Sequence, residues 1–137
     1  QNTKSVRMTA EMGVSQQTAT WASRVTQDPE IGRIYDKAAE TPHELTADEK
    51  RRLLWFVAEI FLLYEGQYHV YLEGQIAEDS WEAKVNIMVG LLENPLVAEW
   101  WDQKVAPFGP KYFAHIESKR QGDEKPWKMD SIGKEAT

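Results

Sequence analysis

Residues 46–73 are the most apolar stretch of the chain and read as one long helix with hydrophobic side chains on nearly every side. Thr46 and Glu49 have the spacing of a capping box at its start, and Gly74 is a typical helix stop. A helix that is apolar around most of its circumference is normally surrounded by other helices. The sequence therefore predicts that residues 46–73 form the central helix of a domain.

The rest of the chain also reads as helices, since no segment shows the sustained two-residue alternation of a half-buried strand. A weak apolar stripe that includes Val14 and Trp21 predicts a first helix over about residues 4–27. Asp28-Pro29 and Asn94-Pro95 combine a capping side chain with proline at the first helical position, which favours a helix start at each. Two further helices are predicted, one capped by Asp79 or Ser80 and ending near Leu92, and one opened by Gly109-Pro110.

These segments predict an all-α fold, a compact helical bundle of five or six helices around the long helix at residues 46–73. A chain of 137 residues is long enough for one domain with a real hydrophobic core. We place the helical domain at residues 1–117. Residues 118–137 are polar and punctuated by glycine and proline, which predicts a mostly irregular tail.

Composition excludes several classes of function. The formal net charge is −6, and no basic stripe with interleaved aromatic residues offsets it, so nucleic acid is excluded as a partner. The absence of cysteine excludes disulfides, a thiolate nucleophile and thiolate metal sites. No uncharged apolar run approaches the roughly 18 residues that a membrane span needs. The chain begins with Gln1 rather than Met, and we expect that a segment before it has been removed.

Glu65, His69 and Glu73 are the candidate ligand-binding residues. They follow one another at intervals of four residues, so they line one face of the long helix. The outer two are about 12 Å apart along the helix axis, so one metal ion would need an adjacent pair plus donors from another helix, such as His115 and Glu117. Neither the paired Glu-x-x-His motif nor His-Glu-x-x-His occurs, and we predict no metal and no cofactor.

The same residues have an ordinary structural interpretation. His69 and Glu73 would form an exposed pair worth a few tenths of a kcal/mol. Glu65 lies in the apolar middle of the helix, where a buried carboxylate must be paired or protonated. We favour a buried structural pair, with Arg24, Arg33 or a tyrosine hydroxyl as the partner, over an acid that faces a pocket.

Several short motifs occur along residues 1–117 in a fixed order. They are residues 1–7, Asp28-Pro29-Glu30, Leu45-Thr46-x-x-Glu49, Glu65 to Glu73-Gly74, Trp81 to Leu91-Leu92-x-x-Pro95, and then Trp101, Phe108 and Pro110. In their order and spacing they resemble a widespread group of bacterial proteins of uncharacterised function. In that group the segment similar to residues 1–7 follows an N-terminal transmembrane helix.

The resemblance implies a single membrane helix, missing from this chain, followed by a soluble helical domain without an established activity. Lys4 and Arg7 would come directly after the missing span, which favours a bacterial inner-membrane protein with its soluble domain in the cytoplasm. His69 stands where that group carries an aromatic residue, so a histidine-based site would not be a trait of the group.

We therefore predict a membrane-tethered, non-enzymatic interaction or scaffolding module with an unidentified protein partner. If an apolar stripe of the first helix is left uncovered, we expect a homodimer. The alternative is a small-ligand or metal-binding protein, or an enzyme, that uses an acidic pocket around Glu65 and His69. A lipid-facing surface near the tether is a third hypothesis.

Overall fold

The computed structural model describes residues 3–104 and 106–122, without the side chains of residues 3, 6, 7 and 10. This part of the chain is all-α and contains no strand, which confirms the predicted helical bundle. It consists of α1 (Thr3–Gln27), α2 (Pro29–Glu40), α3 (Ala47–Leu72), α4 (Glu78–Leu91), α5 (Pro95–Asp102) and α6 (Pro110–Arg120), with one 3-10 turn at Pro42–Glu44.

Three helices start with the capping interactions that the sequence predicts. In α3 the Thr46 hydroxyl accepts from the Glu49 N–H at 3.1 Å, and the Glu49 carboxylate accepts from the Thr46 N–H at 2.9 Å, so the capping box is complete. Asp28 and Asn94 cap α2 and α5, each accepting from the N–H two residues further along. Gly74 follows α3 with φ +74°, a left-handed conformation that glycine adopts without strain.

The start of α4 differs from the prediction. Its N-cap is Ala77 rather than Asp79 or Ser80, and an alanine side chain cannot accept a hydrogen bond. The Ala77 N–H instead donates to the Glu11 carboxylate of α1 at 2.9 Å. The first turn of α4 still receives a local bond, since the Ser80 N–H donates to the Asp79 carboxylate at 2.9 Å, while the N–H of the N-cap residue itself is satisfied by a distant helix.

Helix α3 is the central helix, and it packs against α1, α2, α4 and α5. Seven of its side chains are buried in the core: Leu53, Phe56, Val57, Ile60, Phe61, Tyr64 and Tyr68. The expectation that α3 is covered on nearly every side is wrong along one strip, because Trp55 and Leu62 are 72% and 46% exposed. The helix has more apolar positions than its neighbours cover.

Helix α1 lies antiparallel to α3. Trp21 stacks on Phe56 with ring centroids 4.6 Å apart, and its indole N–H donates to the Phe56 carbonyl at 2.8 Å. The Thr18 hydroxyl is hydrogen-bonded to the Tyr64 hydroxyl at 2.9 Å. Val14 and Trp21 are only 1% and 4% exposed, whereas Met8 and Met12 of the same helix are 54% and 67% exposed. The expected homodimer stays a prediction.

The last described helix runs past the predicted domain end at residue 117. Helix α6 continues to Arg120, whose guanidinium donates to Asp102 at 2.7 Å and to Glu117 at 3.0 Å. Residues 118–120, which the sequence placed in the irregular tail, are therefore helical, and residues 123–137 lie outside the described part of the chain.

Candidate functional site

Glu65 forms a hydrogen bond between two helices of the fold. Its carboxylate accepts a hydrogen bond from the Gly109 N–H at 2.7 Å. Gly109 is the N-cap of α6, so the negative charge lies at the end of a helix where the dipole favours it. The predicted arginine partners are wrong, because Arg24 and Arg33 pair with other glutamates. A backbone group 44 residues away, which no side-chain pattern reveals, takes their place.

Tyr112 fixes the same helix one turn further along. Its hydroxyl donates to the Phe61 carbonyl at 2.7 Å and lies 3.0 Å from the Met88 sulfur. Burial raises the pKa of Tyr112, and the nearby charge of Glu65 adds to the rise, so the phenol stays neutral. Glu65 and Tyr112 together hold α6 against α3, which is a structural role for both.

The other candidate residues are not brought together. His69 and Glu73 are exposed on α3, and Glu73 is the residue that ends this helix. His115 and Glu117, the donors expected from another helix, each accept from a tryptophan indole N–H, at 2.9 and 2.6 Å. Among the residues that the structure describes, no group of three or more histidine, aspartate and glutamate side chains could hold a metal ion.

His115 belongs to an aromatic cluster between α3, α4 and α6. Its Nε2 accepts from the Trp81 indole, which requires a neutral ring, and burial lowers the pKa of His115, with the charge of Lys119 acting in the same direction. The Tyr71 hydroxyl donates to Glu78 at 2.7 Å, and this hydrogen bond raises the pKa of Tyr71 to about 12. The polar groups named in this cluster are therefore already hydrogen-bonded within the protein.

An apolar groove lies beside α3 and has a volume of about 490 Å³. We call it the Trp55 groove. It is lined by Ala47, Lys50, Arg51, Leu54, Trp55, Ala58, Leu62, Trp100, Ala106, Pro107 and Phe108. One wall is the face of α3 that carries positions 55, 58 and 62, which recur at helical spacing. The other is formed by α5 and residues 106–108.

The second wall of the groove is held in place by the core. The Phe61 ring, which is fully buried, meets Trp100 edge-on with centroids 5.6 Å apart. Trp100 in turn meets Phe108 at 5.9 Å. The wall is therefore preformed, and the exposed Trp55 faces a surface that needs no rearrangement to receive an apolar group.

Sequence reasoning missed this groove, because it predicts that the long helix is surrounded by other helices on nearly every side. Periodicity does place Trp55, Ala58 and Leu62 on one face of α3. It does not reveal that the described helices leave this face open. The nearest sequence signal is the basic run Lys50-Arg51-Arg52, two residues of which border the groove.

Within the described ranges, no helix is both long enough and apolar enough to cross a membrane. Comparisons of the chain with protein-family models, with curated proteins and with solved structures found no match. What the site can do is therefore argued from its geometry and chemistry.

Proposed function

We propose that this chain is the soluble domain of a membrane-tethered, non-enzymatic interaction module, which holds an amphipathic protein segment in the Trp55 groove. The observation that carries the proposal is the 72% exposure of Trp55 beside Leu62, Trp100 and Phe108. Single exposed hydrophobic residues are normal, but a contiguous apolar strip marks an interaction surface. Aromatic side chains of this kind also dominate the binding energy of protein interfaces.

Two exposed side chains of this surface can make a large contribution to a binding free energy. Covering the exposed part of Trp55 removes about 150 Å² of mostly apolar surface from water, which is worth about 3–4 kcal/mol. Leu62, which is 46% exposed, adds about 1 kcal/mol when it is covered. The contribution from two side chains is thus already comparable with that of an interface hot spot.

The position of the groove suits a protein partner. The Thr18–Tyr64 hydrogen bond aligns α1 with α3. At 1.5 Å per residue, Trp55 lies about 14 Å from Tyr64 along α3, and Thr3 lies about 22 Å from Thr18 in the opposite direction along α1. A tether that continues the axis of α1 would hold the groove about 36 Å from the membrane surface. Lipid would be out of reach at that distance.

A photo-crosslinking amino acid at position 55 of the full-length protein tests the proposal. We expect an adduct with a second protein that is lost when Leu62 is replaced by lysine, and that forms again when the purified partner is mixed with the purified protein. The control places the same crosslinker at position 12, which is also exposed but lies on α1. Adducts with lipid, with a second copy, or identical adducts from both positions would reject the proposal.

A further inference from the structure

Building on the proposed function, we infer that the segment bound in the Trp55 groove is an amphipathic helix with carboxylates at the end that lies over Lys50 and Arg51. The groove follows α3 from Ala47 to Leu62, which is about 22 Å or four helical turns. This length matches a partner helix that inserts side chains at positions i, i+3 or i+4, and i+7.

The lining of the groove favours a helix over an extended peptide. Of the eleven described residues that line the groove, nine are hydrophobic or proline, all except Lys50 and Arg51, so these residues offer few hydrogen-bonding groups to a peptide backbone. An extended peptide would bury backbone N–H and C=O groups without partners, which is costly. A helix satisfies these groups internally. Strand addition needs an exposed sheet edge, and the described part of this fold contains no strand.

Charge sets the chemistry of one end of the partner. Among the described residues that line the groove, Lys50 and Arg51 are the only charged ones, although the whole chain carries a net charge of −6. Both lie near the N-terminal end of α3, where the helix dipole disfavours cations, so stability of this helix does not explain them. Arg51 forms a long ion pair with Asp48, at 3.7 Å, and its side chain is 67% exposed. Such a weak, exposed pair lets the guanidinium turn toward a stronger anionic partner. A carboxylate on the partner is the complement that this rim selects.

A second copy of the chain fits the groove poorly. Pairing two α3 helices in parallel would place Lys50 and Arg51 of one copy against the same residues of the other. Pairing them antiparallel would separate these charges, but it would point the two α1 N-termini in opposite directions. The two α1 helices could then not both be tethered to the same membrane.

Three fluorescein-labelled synthetic peptides of about 18 residues test the inference. They share one helical leucine stripe and differ only at one end, which carries glutamates, glutamines or lysines. We expect the glutamate peptide to bind the purified chain about tenfold more tightly than the lysine peptide in low salt, measured by fluorescence anisotropy. The bound glutamate peptide should also gain helical circular dichroism.

Arg51→Glu should abolish or reverse this preference, because it inverts the charge of the rim. Lys111→Glu is the matched control, since it makes the same charge change at an exposed position on α6 outside the groove, and it should keep the wild-type preference. Equal binding of all three peptides that is lost in Trp55→Ser would overturn the charged end and leave the proposed interaction module standing. Failure of every peptide to bind at about 1 mM would overturn the helical partner.

Discussion

Replacing Glu65 by alanine tests whether this carboxylate is a structural clamp or a pocket acid. In the fold it accepts the Gly109 N–H at 2.7 Å, at the start of α6. Hydrogen bonds to charged groups contribute about 1.5–3 kcal/mol, and partial exposure of the Glu65 side chain lowers this to about 1–2 kcal/mol. For a domain of this size we expect the melting temperature to fall by about 4–8 °C.

The loss of free energy of unfolding is measured by urea denaturation followed by tryptophan fluorescence. Glu65→Gln keeps an acceptor oxygen without the charge, so its destabilisation should be about half that of alanine. Glu73→Ala is the control, because this exposed residue on the same face should change stability by less than about 0.5 kcal/mol. Hydrogen exchange of the Gly109 amide should accelerate in Glu65→Ala by a factor that corresponds to the lost stability.

The opposite result has a clear meaning. Residues that serve a binding or catalytic site are often held at a cost in stability, so removing them leaves stability unchanged or raises it. A Glu65→Ala protein as stable as wild type, with unchanged protection of the Gly109 amide, would refute the clamp and revive the acidic pocket.

Three further predictions concern the core and the groove. Tyr112→Phe should lower the free energy of unfolding by about 1 kcal/mol, because the fold loses the hydrogen bond to the Phe61 carbonyl but keeps the ring. Urea denaturation measures this loss, and an unchanged midpoint would contradict the hydrogen bond. Because burial lowers the pKa of His115 below its usual value of 6.5, the unfolded state takes up a proton first as pH falls. The stability that this neutral histidine contributes should be complete above about pH 6.5 and decline below it. His115→Gln should flatten the decline in the free energy of unfolding measured by urea denaturation between pH 7 and 5. An identical decline in both proteins would show that His115 is not its source. Trp55→Ser should change the free energy of unfolding by less than about 0.5 kcal/mol, because this side chain is exposed. Trp101→Ala removes a side chain that is only 1% exposed and should cost about 3–5 kcal/mol. Equal effects of the two substitutions in thermal and urea unfolding would argue against an open groove.

Local chemistry explains why the helices could be predicted. The caps at Thr46, Asp28 and Asn94 involve groups only two or three residues apart, so the sequence contains both partners within one turn. The start of α4 could not be predicted in this way, because the partner of Ala77 is Glu11, 66 residues away. Helix α4 begins without a side-chain cap, and the N–H of its N-cap residue is held by a tertiary contact rather than by a residue of its own first turn.

The candidate site shows the same division. Sequence alone placed Glu65 in an apolar part of α3 and required that it be paired, which follows from the cost of burying a charge. It could not identify Gly109 as the partner, because a backbone N–H has no residue-type signature. The clustering of Glu65, His69 and Glu73 on one face was geometrically sound, yet their environments differ, since neighbouring helices cover only the first of the three.

The sequence by itself determined that α3 is a long helix and which of its side chains share a face, because helical periodicity depends only on spacing along the chain. Only the tertiary structure decided which of those faces are covered. Phe56 and Phe61 are buried by α1, α5 and α6, while Trp55 remains 72% exposed. Exposure depends on where the neighbouring helices cross α3, and those crossings are set by contacts between residues far apart in the sequence.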